Sequence, residues 1–169
     1  EINRKIVDHL SDINFVLSEH ARNYLIREGI KPETIIKTGS HMREIINFYL
    51  PKIKNSKILE TLNLENKKYF LISIHRQENT SSQDNLHKII SSINLIANKY
   101  KLPIIISTHP RTREMLEISK DIILNNQIRL LQPFSFTDYI KLQLEAICII
   151  SDSGTITEES MLLNLPAIT

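Results

Sequence analysis

Short apolar runs alternate along this chain with longer segments in which apolar residues recur every three or four positions, the pattern of strands interleaved with amphipathic helices. From residue 69 onward the alternation is regular. Strands are predicted over 70–74, 104–107, 128–131 and 147–150, and helices over 111–118, 136–145 and 156–165. A further helix carries Leu86, Ile89, Ile90, Ile93, Ile96, Ala97 and Tyr100 on one stripe. Because the strands are apolar on both faces, they imply an α/β fold: a parallel sheet covered by helices on each side.

The first part of the chain is less regular. A helix opens it, followed by a strand over 13–17, a helix over 19–28 ended by Gly29, and a short strand over 35–37. A helix begins near His41, and Pro51 with the polar run 52–57 is expected to interrupt it before 58–64. The expected domain division is therefore 1–40 and 41–169. The chain opens on helical residues and stops on what reads as the first residues of another strand, so it is expected to be the interior of a longer protein.

Composition narrows the chemistry. With 169 residues and a net charge of +2, the chain can build a real core but carries no basic stripe for a nucleic acid. Its single cysteine, Cys148, lies in an apolar run and reads as a buried structural thiol; one Cys forms no internal disulfide, which suits a reducing compartment. No signal peptide is visible, and no apolar run approaches the roughly 20 residues of a spanning helix. A cytoplasmic protein without membrane partners is expected. His9, His20, His41 and His87 show no ligand spacing, so no metal is expected.

In open α/β sheets, ligands bind beyond the carboxyl ends of the strands. Four polar segments follow the predicted strands: HRQENT after Ile74, THPRTRE after Ser107, QPFSFTD after Leu131 and SDSGTITEES after Ile150. All four are expected on one rim of one sheet. His75 and Arg76 suit a diphosphate, one by donation or proton transfer and one by permanent charge, although Arg76 and Glu78 also fit a strand-end ion pair. His109, before Pro110, reads equally as a ligand contact or a loop histidine bonded to backbone. Arg111 and Arg113 lie on a predicted first turn, where a cation opposes the helix dipole and needs an anion or a carboxylate such as Glu114. Phe134, Phe136 and Tyr139 fit either the wall of a base pocket or the core.

The last segment is the most informative. Gly154, one of three glycines, separates an apolar strand from a helix whose first amides have no partner within the helix, an arrangement that attracts an anion. Thr155 and Glu158 also match a capping box, and that reading stays open for Glu158. Glu159 is not used by such a box and is free to accept from both hydroxyls of a ribose.

Taken together, HRQEN, STHPRTRE and SDSGTITEES, preceded by SEHARNYLIREGIKPETIIKTGS, resemble the non-hydrolysing UDP-N-acetylglucosamine 2-epimerases over nearly the whole chain. The resemblance implies two Rossmann-like domains in a GT-B-like architecture, residues 1–40 ending the first and 41–169 forming most of the UDP-binding second. It implies removal of the proton at C2, anti elimination of UDP to a bound glycal, and return of UDP with the opposite C2 configuration, without a cofactor. By the same resemblance His75 is catalytic at the diphosphate. Arg76, Glu78, His109, Arg111, Tyr139, Ser153, Gly154, Thr155 and Glu159 bind UDP, with Glu159 on the ribose and Tyr139 near the uracil. Thr155 stands where many members carry a second glycine, and Phe134 replaces an expected Gln. The carboxylates that move the C2 proton are implied to precede this chain. A UDP-sugar and a second copy in a homodimer are the expected partners.

DYIKLQ with SDSGTITEES is similar to a branch that acts on UDP-2-acetamido-2,6-dideoxy-talose to make UDP-N-acetylfucosamine, which leaves the sugar open. A GT-B glycosyltransferase, a hydrolysing epimerase and a non-catalytic UDP-sugar sensor remain as rivals.

Overall fold

The computed structural model describes residues 1–74, 82–108 and 123–169; elements are numbered among these. The chain forms two compact units, Glu1–Phe48 and Tyr49–Thr169. The boundary between these units lies inside a helix.

In the first unit, helix α1 (Ile2–Leu10) precedes strand β1 (Asn14–Val16), helix α2 (Glu19–Arg27) and strand β2 (Ile35–Lys37), with β1 and β2 parallel. Ser18 caps α2 by accepting from the Ala21 amide, and Gly29, at φ +94°, ends it. The Gly29 amide donates to the Ile26 carbonyl and the Ile30 amide to the Leu25 carbonyl, the double bond of a Schellman motif that needs a left-handed residue between them. Val16, Leu25 and Ile35 form the small core. Arg4 ties α1 to the end of α2 by reaching Glu1, Asp8 and Glu28, and these hydrogen bonds, those to Glu1 and Glu28 foremost, raise its pKa.

Helix α3 (Met42–Lys54) does not stop at Pro51 as expected. A proline removes one amide from the ladder, but the ladder resumes with the Asn55 amide on the Pro51 carbonyl, and Ile53 in the last turn is fully buried. Burial of that side chain holds the turn that the sequence alone would release.

After a single helical turn, α4 (Ile58–Thr61), the second unit builds a five-stranded sheet from β3 (Phe70–Ser73), β4 (Ile104–Ser107), β5 (Ile128–Leu131), β6 (Cys148–Ser151) and β7 (Ala167–Ile168). Every pairing is parallel and the order is β5-β4-β3-β6-β7. Counted from β3, that is 3-2-1-4-5, the Rossmann order, in which the chain reverses its direction of travel across the sheet between the first and fourth strands. Helices α5 (Gln83–Tyr100), α6 (Phe136–Glu145) and α7 (Thr155–Leu163) cover the sheet. Phe70, Ile72, Ile104 and Ile106 pack with Leu86, Ile90, Ile93 and Ala97 of α5. Leu71, Ile105 and Ile149 pack on the opposite face with Leu142 of α6 and Ile156 of α7. Successive strand residues thus feed two different cores, which is why these strands read as continuous apolar runs.

Two side chains depart from their expected burial. Tyr100, on the predicted apolar stripe, is 49% exposed at the end of α5, with its ring against Phe70. Cys148, the first residue of β6, is only half-buried, packed at the edge of the core on the α5 side of the sheet; desolvation still pushes its thiol pKa up. The predicted helix over 111–118 lies outside the described residues.

Leu71→Ala and Ile72→Ala, on opposite faces of the central strand, are each expected to lower the unfolding free energy by about 2–5 kcal/mol in urea titrations of the intact protein. A loss below about 1 kcal/mol at either position would show that its face is not packed as described.

Candidate functional site

The sheet order places a crevice between the C-terminal ends of β3 and β6, where one crossover leaves toward β4 and the other toward β7. Ser73 ends β3, and its register partners are Ser107 on β4 and Ser151 on β6, so three buried hydroxyl residues lie side by side at the strand ends. All three line a cavity of about 420 Å³ whose other walls are Pro133, Phe134, Phe136, Tyr139, Ser153, Thr155, Ile156 and Glu159.

The β6–α7 turn is built from its own small residues. The Ser153 amide donates to the Ser151 hydroxyl, the Thr155 amide to the Ser153 hydroxyl, and the Ser153 and Thr155 hydroxyls lie 2.9 Å apart. Gly154 occupies the N-cap position without a side-chain cap, and its amide donates to no acceptor among the described residues. A Cβ built on Gly154 would meet no atom within 4 Å, and its φ of −63° suits any residue. What glycine leaves here is open space beside an unused amide at a helix N-terminus, where the dipole is positive.

The capping box that Thr155 and Glu158 left open does not form. The helix starts one residue earlier than predicted, so Thr155 is its first residue rather than its cap, and Glu158 keeps one buried oxygen without a hydrogen-bond partner among the described residues. Ile156 and Glu159, three residues apart, share the inward face of α7, and both are buried at the cavity.

Helix α6 supplies the opposite wall. Its N-terminus is capped by Ser135, which accepts from the Asp138 amide, and Asp138 in turn accepts from the hydroxyls of Ser135 and Ser56. Its C-terminus is held by Lys67, whose ammonium donates to the Leu144 and Ala146 carbonyls, and by the buried Tyr69 hydroxyl on the Leu142 carbonyl. A cation at a helix C-terminus satisfies carbonyls that have no partner within the helix. Both ends of α6 are thereby fixed to the chain that leads into the sheet.

Tyr139 lines the cavity, and Gln143, one turn later on α6, lies buried beside Glu159. Burial pushes the Tyr139 phenol pKa up, while hydrogen bonds with the Ser73 and Gln143 side chains act in the other direction. Gln143 is fully buried, and its amide donates to Glu159 Oε2 at 2.6 Å. Phe136 stands edge-on to Tyr49, with ring centroids 5.5 Å apart, and is 39% exposed on the cavity wall rather than part of the core.

Of the residues singled out from sequence, the fold brings Tyr139, Ser153, Thr155 and Glu159 around one cavity, with Gly154 between two of its lining residues. His75, Arg76, Glu78, His109, Arg111, Arg113 and Glu114 lie outside the described residues. The serine row and Gln143 were not predicted. The serines close apolar runs and read as strand ends, and Gln143 sits inside an amphipathic pattern that says nothing of its partner.

Comparison with known proteins agrees with this geometry. The family model for UDP-N-acetylglucosamine 2-epimerase matches residues 1–169. A UDP-N-acetylglucosamine 2-epimerase of Methanococcus maripaludis is 35% identical over all of this chain, which covers 48% of that protein. The structure of UDP-N-acetylglucosamine 2-epimerase from Rickettsia bellii superposes with a TM-score of 0.88 at 49% identity, over 99% of this chain and 44% of that one. The Methanocaldococcus jannaschii enzyme in complex with UDP-GlcNAc and UDP superposes with a TM-score of 0.89 at 32% identity, over 100% of this chain and 48% of its own. The chain thus spans about half the length of the curated relatives it matches. With the family model matched from end to end and the same GT-B-like α/β fold, the chain belongs to the UDP-N-acetylglucosamine 2-epimerase family.

Proposed function

We propose that this chain supplies the nucleotide-holding half of a non-hydrolysing UDP-N-acetylglucosamine 2-epimerase, an isomerase that inverts C2 of the sugar by eliminating and re-adding UDP. One observation carries the reading. At the Rossmann switch point, a helix N-terminus whose Gly154 amide is unused among the described residues lies between two residues that line the crevice, Ser153 and Thr155, and the buried carboxylate of Glu159 lines it too. The amide and dipole suit a diphosphate, and the carboxylate suits the vicinal hydroxyls of a ribose.

In this reading Ser153, Gly154 and Thr155 receive the phosphates, Glu159 accepts from the ribose, and Tyr139 with Phe134 and Phe136 walls the base. His75, placed by sequence directly after Ile74, is the catalytic group at the diphosphate, with Arg76, Glu78, His109 and Arg111 as further UDP contacts. The unit Tyr49–Thr169 is then the UDP-binding domain.

The chemistry explains why leaving-group binding matters. Loss of the C2 proton and rupture of the C1–oxygen bond to UDP give a glycal and free UDP within the site. UDP must be retained, because its oxygen re-forms the bond to C1 as a proton returns to C2 from the opposite face. An enzyme that releases UDP at this point hydrolyses or loses its substrate instead. The relatives named above are UDP-N-acetylglucosamine 2-epimerases, which favours that sugar over the 6-deoxy talose derivative.

Two outcomes are expected. Turnover of UDP-N-acetylglucosamine by the intact protein in heavy water incorporates deuterium at C2 of the UDP-linked product, read by mass spectrometry or proton NMR. Product without deuterium, or free sugar in place of a UDP-sugar, would assign the fold to a transferase or a hydrolysing enzyme. Gly154→Ala changes stability by no more than about 1 kcal/mol, since its φ and surroundings accept a Cβ, yet weakens UDP binding about tenfold or more by filling the phosphate approach. Unchanged UDP affinity in a folded Gly154→Ala protein would remove the turn from the site.

A further inference from the structure

Gln143 is an unusual residue for its place. It lies on α6 beside Ile140 and Leu142, is fully inaccessible to solvent, and faces a buried carboxylate across 2.6 Å. Its Nε2 donates to Glu159 Oε2, a charge-assisted bond. Its Oε1 is buried and has no hydrogen-bond partner among the described residues. An unsatisfied buried carbonyl costs stability, and an apolar side chain of the same shape would avoid that cost. Stability alone therefore does not account for an amide here.

The arrangement instead fixes one atom. Gln143 is the hydrogen-bond partner of Glu159 among the described residues, and it engages one carboxylate oxygen. A neutral amide holds that oxygen without neutralising the charge, whereas a lysine or arginine would pair with the carboxylate and compete for its second oxygen. Gln143 thereby joins α6 directly to the inward face of α7.

We propose that Gln143 is a positioning residue for nucleotide recognition: by holding Glu159 Oε2 it aims the remaining oxygen at the ribose, and so sets the preference for a ribonucleotide over a 2′-deoxyribonucleotide. This inference rests on the reading of Glu159 as the ribose-binding group. Gln143 touches no substrate in this scheme and acts through the carboxylate.

The test is calorimetric titration of the intact protein with UDP and 2′-deoxy-UDP, for the wild type and for Gln143→Met, Glu159→Ala and the double variant. Methionine keeps the volume and removes the donor. The wild type is expected to prefer UDP by about tenfold or more, the scale of one hydrogen bond to a charged group. Gln143→Met brings that preference close to unity by weakening UDP while leaving 2′-deoxy-UDP nearly unchanged. Glu159→Ala also abolishes the preference but weakens both nucleotides, since 2′-deoxy-UDP loses its 3′-hydroxyl contact as well, and the double variant adds nothing to Glu159→Ala. A folded Gln143→Met protein that keeps the wild-type preference, or binds both nucleotides equally more weakly, overturns the role of Gln143 if Glu159→Ala has abolished the preference. Retention of the preference in Glu159→Ala overturns the ribose reading itself, and this inference with it. If the methionine variant fails to fold, Gln143→Leu reads the same preference. In the wild type, the Gln143 side-chain amide resonance must shift more with UDP than with 2′-deoxy-UDP; equal shifts count against the proposal.

Discussion

The pairing of β3 with β6 is the constraint on which the site depends. These strands are distant in sequence, yet Ser73 and Ser151 are register partners and the Asp152 amide donates to the Ser73 carbonyl at 3.4 Å. Parallel pairing sends both chains out at the same edge of the sheet, and the switch in crossover direction leaves the space between them uncovered by a connection. A slip of one residue would turn Leu71 and Ile72 to the wrong cores and carry the β6–α7 turn away from Tyr139. Core packing on both faces therefore fixes the register, and the register fixes the cavity.

On this platform, two helices divide the work. The start of α7 brings, at its Gly154 N-cap, an amide unused among the described residues and, five residues on, the buried carboxylate of Glu159, so the groups suited to phosphate and sugar are held by one element. Helix α6 carries no charge into the cavity from Tyr139 or Gln143, and contributes hydrogen bonds and an aromatic wall. Its ends are tied down by Ser56, Lys67 and Tyr69, all of which precede or open the central strand. The cost of a buried amide with one free end is carried by this anchored packing, as functional sites commonly require. Electrostatic recognition is thereby concentrated on α7, while α6 sets its geometry.

Much of this was legible in the sequence because the strands are buried on both sides. Four apolar runs gave strands at 70–73, 104–107, 128–131 and 148–151 with errors of a residue at most, and Gly29 marks a helix end by local chemistry that the structure repeats. What could not be read depends on partners distant in the chain. Pro51 was expected to end a helix, but Ile53 finds a buried site that continues it. Thr155 and Glu158 have the spacing of a capping box, yet the Ser153 hydroxyl takes the Thr155 amide and the helix begins earlier. Gln143 reads as one more polar position on an amphipathic helix; its meaning comes from a carboxylate on another element. Local rules locate elements, whereas the chemistry of a site comes from their assembly.

The claim at the centre is that a nucleoside diphosphate sits across the β3–β6 crevice with its phosphates at the start of α7. A crystal structure of the intact protein with UDP tests it most directly. Phosphate oxygens within hydrogen-bond distance of the Gly154 amide, with the ribose hydroxyls on Glu159, are the expected result. Well-defined UDP bound elsewhere, with that turn and carboxylate facing only solvent, would contradict it.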